Sequence, residues 1–159
     1  MFRLGISGHR GFDAATAGLV RTALDAVIRA VPADRLTGVS CVADGTDALF
    51  GRAVLDHGGR LEVVIPAAGY RDQLPADYGG TFDELCAKAS ELHRLPFAES
   101  NPRAYMAASE KMLSLVDRLI AVWDGLPARG YGGTADVVAR ARALDIPVEV
   151  IWPRGARRD

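Results

Sequence analysis

Apolar positions along the chain follow two alternating rhythms. Short, nearly continuous runs at residues 2–7, 39–42, 61–65, 118–123 and 148–152 predict strands. Between them the apolar residues recur at three- and four-residue spacing. Ala15, Leu19, Val20, Ala23, Leu24, Val27 and Ile28 make one helical face, with Asp13 placed to cap it. Leu49, Phe50, Ala53 and Val54 make a second face, closed by His57-Gly58-Gly59. Residues 82–92 predict a third helix, ending beside Glu91 and His93. Residues 102–116 predict a fourth, inward through Tyr105, Met106, Met112, Leu113 and Val116. Residues 134–144 predict a fifth, inward through Val137, Val138 and Ala141. The stretch 70–80, with two prolines and two glycines, reads as loop. Pro96 suits a short edge strand at 95–97.

Apolar strands alternating with helices imply an α/β fold with a mostly parallel central sheet covered on both faces. The alternation runs through residue 153, so one domain is expected over 1–153. Residues 154–159 are expected to form a flexible C-terminal tail. A length of 159 residues suits one domain, and 49% hydrophobic residues suffice for a substantial core. The 19 Lys and Arg against 20 Asp and Glu leave a formal charge of -1, so a nucleic-acid partner is not expected. Cys41 and Cys86 form no CxxC pair, and both read as small core residues. His9, His57 and His93 are scattered, so no metal site and no cofactor are expected. No run of about 18 apolar residues occurs and no signal peptide precedes the first strand. The expectation is a cytoplasmic protein with no membrane partner.

Polar and glycine-rich clusters fall where strands end, and parallel sheets bind ligands at that place. Gly5-Ile6-Ser7-Gly8-His9-Arg10-Gly11 offers backbone N–H groups and a guanidinium to phosphate oxygens. It matches neither a GxGxxG fingerprint nor a Walker A loop. Ser7, Gly8, His9 and Arg10 are its candidate binding residues. Ala43-Asp44-Gly45-Thr46-Asp47 opens a helix. Here Gly45 and Thr46 suit a phosphate and Asp47 a ribose hydroxyl, although Thr46 or Asp44 can equally cap the helix. Asp124-Gly125 ends a strand, a place suited to a base, a sugar or a water. Gly130-Tyr131-Gly132-Gly133-Thr134-Ala135-Asp136 puts glycines before a helix whose free N–H groups can take an anion. Gly132, Gly133 and Thr134 are its candidates. Asp124, Asp136 and Glu110 are the candidate catalytic carboxylates, to stabilise charge or activate water.

Together these motifs resemble the SMF/DprA-LOG (SLOG) superfamily. That group holds DNA-processing protein A domains, the "lonely guy" phosphoribohydrolases formerly labelled lysine decarboxylases, and molybdenum-cofactor carrier proteins. The resemblance rests on Gly5–Arg10, on Ala43–Asp47 with Ala53-Val54-Leu55, on Val116–Gly125, and on Gly132-Gly133-Thr134. It implies a Rossmann-like three-layer sandwich with a nucleotide or nucleotide derivative over the strand ends. The phosphate would lie near Gly132, Gly133 and Thr134. It implies a homodimer acting as sensor or carrier. The alternatives are a nucleoside 5′-monophosphate N-glycosidase and a DNA-binding accessory protein. The hydrolase pattern PGGxGTxxE is only partly met, because Val137 stands at the glutamate position. Ala108 and Ser109 stand where the arginine and lysine of the RKxxM pattern fall.

Overall fold

The computed structural model describes residues 1–158. Six strands form one sheet: β1 (Phe2–Gly8), β2 (Leu36–Ser40), β3 (Arg60–Ala67), β4 (Glu91–Phe97), β5 (Arg118–Val122) and β6 (Val148–Ile151). Six helices accompany them: α1 (Ala14–Arg29), α2 (Thr46–His57), α3 (Tyr70–Gln73), α4 (Gly79–Lys88), α5 (Pro102–Leu113) and α6 (Thr134–Ala143). The strand order is β4-β3-β2-β1-β5-β6, and every neighbouring pair is parallel. Successive strands move outward one way from β1 to β4, then restart on the other side of β1 with β5. The order therefore reverses at the β1/β5 boundary, where diverging connections open a crevice above the strand ends.

Alternation along the strands loads both faces of the sheet. Leu4 and Ile6 of β1, with Ile120 and Val122 of β5, meet Val20, Leu24 and Ile28 of α1 and Phe50, Ala53 and Val54 of α2. Val39, Val64 and Leu119 point the other way, against Met106, Met112 and Leu113 of α5 and Val137 and Ala141 of α6. A third cluster joins Leu61, Val63 and Ile65 of β3 to Tyr70, Phe82 and Leu85. This is the three-layer Rossmann-like sandwich that the sequence implies. No helix is long and apolar enough to cross a membrane among the described residues.

Several boundaries differ from the sequence reading for physical reasons. β2 begins at Leu36 and ends at Ser40, because Val42 takes φ 46 and cannot continue a strand. The helix expected over 82–92 stops at Lys88, and Glu91 and His93 belong to β4. As an edge strand with one neighbour, β4 has no fully buried residue and mixes charged side chains with apolar ones, which weakens its pattern. Pro96 is tolerated there. Residues 70–80, expected as loop, hold α3, a short 3-10 turn over Ala76–Tyr78 and the first residues of α4. Of the tail, Asp159 lies outside the described residues. The Arg157 N–H donates to Thr16 Oγ1 at 3.1 Å, and Arg158 pairs with Asp124 at 3.3 Å.

The expected inward face of α1 needs one adjustment, since Leu19 is 38% exposed while Leu24 is fully buried. Leu24→Ala is therefore expected to cost about 2–5 kcal/mol of unfolding free energy. Leu19→Ala is expected to cost less than about 1 kcal/mol. Urea denaturation of both variants, read as a shift of midpoint at constant slope, checks the pair.

Candidate functional site

The crevice is built on two loops locked against each other. The His9 carbonyl at the end of β1 accepts two bonds from Thr46, from its N–H at 3.2 Å and from its hydroxyl at 2.9 Å. That contact brings the first turn of α2 onto the β1–α1 loop. It also requires two glycines. A Cβ on Gly8 would lie 2.5 Å from Thr46 Oγ1. One on Gly45, which has φ +81, would lie 2.8 Å from the Arg10 Cα. Thr46 is fully buried, and its hydroxyl is committed to this contact rather than to a ligand.

Above the strand ends lies a cleft of about 310 Å³. β1 contributes Ser7 and Gly8, followed by Arg10. The β2–α2 connection contributes Cys41, Ala43 and Asp47. Pro66 and Tyr70 follow β3. Tyr105 and Ser109 come from α5, and Gly130–Thr134 close the far side. A larger cavity, about 690 Å³, lies at the opposite end of the sheet among Phe2, Val27, Val31 and Arg118. It sits at the amino ends of the strands, away from the helix N-termini that favour anions.

The glycine-rich turn leads into α6, whose N-terminal residue Gly133 provides no side-chain cap. Asp136 in the first turn instead accepts the Gly132 N–H at 2.9 Å, which fixes the turn. Thr134 and Tyr70 line the cleft and are only 7% and 3% exposed. Neither hydroxyl makes a hydrogen bond among the described residues, and no fully buried side-chain oxygen there lacks a partner. Both hydroxyls therefore open onto the cleft.

The charges are arranged unevenly. Arg10 is drawn to Asp44, with Nε and Nη2 at 2.8 and 2.7 Å from Oδ1. Asp47 makes no ion pair among the described residues and accepts one N–H, from Ala43 at 3.2 Å. Burial pushes its carboxyl up to about 7, against the opposing pull of the Ala43 N–H and Arg10. Burial also raises the Cys41 thiol and the Tyr70 hydroxyl well above their ordinary values, so both stay protonated.

Of the residues singled out in the sequence, Ser7, Gly8, Arg10, Asp47, Gly132, Gly133 and Thr134 come together around this cleft. His9, Gly45, Thr46 and Gly125 do not line it. The His9 ring is buried and edge-on to Trp152 at 5.5 Å. Its Nε2 accepts the Asp124 N–H at 3.2 Å. Burial, helped by Arg158, lowers its pKa, which keeps that nitrogen free to accept.

The candidate catalytic carboxylates are engaged elsewhere, and none lines the cleft. Asp124 accepts the Leu126 N–H at 3.0 Å and pairs with Arg158. Burial works to raise its pKa, but Leu126, Arg158 and His9 outweigh it, and the carboxyl sits below its ordinary value. Asp136 holds the Gly132 turn. Glu110 pairs with Arg140 at 3.4 Å on the surface.

Tyr70, Tyr105, Ser109 and Cys41 are lining residues that the sequence did not mark for binding. Tyr105 and Cys41 carry only a core signal, and Tyr70 falls in a stretch without periodicity. Away from the cleft, Glu62, Glu91 and His93 come close enough to share an ion. There Glu62 Oε1 already accepts from Arg3 at 2.8 Å and lies 2.9 Å from His93 Nε2.

No family model and no curated protein matches the chain. Solved structures do. DNA processing protein A from Helicobacter pylori, described by its single-stranded DNA binding mode, aligns with a TM-score of 0.70 at 15% identity. The match covers 99% of this chain and 68% of that one. DNA processing protein A from Streptococcus pneumoniae aligns with a TM-score of 0.68 at 18% identity, over 94% of this chain. This chain spans half of that protein. The Moco carrier protein from Chlamydomonas reinhardtii aligns with a TM-score of 0.56 at 19% identity, over 94% and 75% of the two chains. The fold is thus that of the DNA-processing and Moco-carrier proteins whose resemblance the motifs carry.

One expectation is corrected by these matches. The near-neutral charge argues against a nucleic-acid partner, yet a protein of the same fold is described by how it binds single-stranded DNA. Net charge sums over the whole surface, whereas phosphate recognition depends on the charge of one face.

The carboxyl of Asp47 makes stability depend on pH. The folded chain holds its proton more tightly than the unfolded chain, whose ordinary value is about 3.9. The resulting stabilisation is fully present below about pH 4, declines as pH rises and is gone above about pH 7. Asp47→Asn keeps an oxygen for the Ala43 N–H but cannot ionise. Its melting temperature is expected to gain on that of the parent protein between pH 5 and pH 8. Paired thermal melts across that range check the sign.

Proposed function

We propose that the protein binds a nucleotide or nucleotide derivative in this cleft as a sensor or carrier, with the phosphate at the N-terminus of α6. The observation that carries this reading is the conjunction at Thr134. An uncapped helix N-terminus, a glycine turn and a buried but unbonded hydroxyl face the same space. Free N–H groups at a helix start favour an anion, and a hydroxyl adds a directed donor. Ser7 and Arg10 line the same space. A phosphate competes with Asp44 for the guanidinium, which presents five donors in a fixed fork.

Binding is favoured over glycosidic hydrolysis by the positions of the carboxylates. Asp124, Asp136 and Glu110 are each engaged by a backbone N–H or an arginine, and none of the three lines the cleft. The single-stranded DNA of the H. pylori protein supports a second reading, in which an oligonucleotide phosphate occupies the same pole.

Calorimetric titration with nucleoside monophosphates is expected to show saturable binding that inorganic phosphate competes away. Thr134→Val, which keeps the side-chain shape, is expected to weaken binding about tenfold, in line with about 1.5 kcal/mol for a hydrogen bond to a charged group. An oligothymidine titration followed by fluorescence anisotropy tests the second reading. Unchanged affinity in Thr134→Val would remove the α6 N-terminus from the binding site.

A further inference from the structure

The end of the cleft away from α6 has its own chemistry. Asp47 stands after β2 and Tyr70 after β3, whereas Thr134 follows β5. The ends of β3 and β5 are three strand spacings apart in the sheet order, about 14 Å. The anion pole and the Asp47–Tyr70 pole therefore address different parts of one ligand, with room for a sugar between them.

Two observations define the second pole. The Asp47 carboxyl is half-buried and carries one N–H bond but no cation among the described residues, with Arg10 held by Asp44. The Tyr70 hydroxyl opens onto the cleft from a side chain that is otherwise buried. The Tyr70 ring is fixed edge-on between Phe82 at 5.9 Å and Tyr105 at 6.0 Å, so the hydroxyl is placed before any ligand arrives. Tyr105 and Pro66 add apolar lining suited to a planar ring.

Above about pH 7 Asp47 is an ionised carboxylate that only accepts, and the protonated phenol donates, so this pole complements an edge with adjacent N–H donors next to a carbonyl. Adenine and cytosine present a single amine beside a ring-nitrogen acceptor. Uracil presents one N–H flanked by two carbonyls, which repel a carboxylate. Guanine presents N1–H and the 2-amino group side by side, followed by O6. We propose that Asp47 and Tyr70 read the base, and that the cleft selects a guanine nucleotide. Asp47 takes N1–H and the 2-amino group, and Tyr70 donates to O6. This assignment rests on the phosphate-binding reading of the α6 pole.

The test is calorimetric titration of the whole chain at pH 8, where Asp47 is ionised, with GMP, IMP and AMP. IMP keeps N1–H and O6 but lacks the 2-amino group. The expected result is GMP at least tenfold tighter than either competitor. Asp47→Asn is expected to erase most of that gap, and Tyr70→Phe to weaken GMP while retaining the preference over AMP. Circular dichroism melts of both variants confirm that they fold. For a variant that fails to fold, the three-nucleotide ranking of the parent protein decides alone. Equal affinities for the three nucleotides, all weakened alike by Thr134→Val, would overturn the base assignment and leave the phosphate pole standing. Absence of binding by every nucleotide would overturn both.

Discussion

The His9 carbonyl is the joint on which the site depends. It accepts two hydrogen bonds from Thr46, a residue 37 positions later in the chain, and so pins the start of α2 to the end of β1. Both loops lead to helices on the same face of the sheet, and the joint fixes one loop against the other. With it, Arg10, Asp44 and Asp47 are gathered on one side of the joint. The contact is sterically exclusive, since the two glycines that flank it leave no room for a Cβ. The second device is Val42, a β-branched residue at φ 46, which ends β2 and lies between the lining residues Cys41 and Ala43. Its N–H donates to Ser40 Oγ at 2.9 Å, and its carbonyl accepts from the Tyr78 hydroxyl at 2.7 Å. Backbone strain of this kind persists where the surroundings over-determine it, and such places cluster at ligand sites.

The same joint explains which parts of the site were legible in the sequence. Glycines before helices and polar residues after apolar runs mark strand ends, so the cleft's position followed from local pattern alone. The fold followed for the same reason, because buried parallel strands and amphipathic helices each leave a periodic trace. What pattern cannot show is whether a polar group is already engaged. Thr46 and Thr134 both follow a glycine at a helix start and look equivalent in the chain. One hydroxyl is closed onto His9, whereas the other opens onto the cleft. Tyr70 was hidden for a different reason. It sits in a four-residue helix inside an irregular connection, too short to leave a period.

The carboxylates show the limit most sharply. Asp47 and Asp124 both lie just beyond strand ends, one in the first turn of α2 and one directly after β5. Asp124 is met by an arginine and a backbone N–H, and these outweigh the cost of burial. Asp47 lies beside an arginine that a competing carboxylate holds, and burial prevails. The protonation of each is thus decided by burial and by which partners reach it. Arg158 reaches Asp124 from the last residues of the chain, and Asp44 intercepts Arg10 three positions before Asp47.

That interception also bears on how one fold can serve different ligands. DNA-processing and Moco-carrier proteins share this architecture while their descriptions name different cargo. The sheet supplies a crevice and helix N-termini, a setting that favours an anionic group whatever else the ligand carries. On the proposed reading, with the anion at the α6 end, discrimination would come from the opposite end of the crevice. That end holds a carboxyl without an ion pair among the described residues and a fixed phenol rather than a further cation. A second positive group there would strengthen anion binding without choosing among nucleotides. A carboxyl instead penalises every ligand that cannot offer it a donor, since a buried acceptor left unmet costs about 1–3 kcal/mol. Asp44 is what permits this, because an Arg10 free to pair with Asp47 would satisfy the carboxyl within the protein and leave it nothing to select.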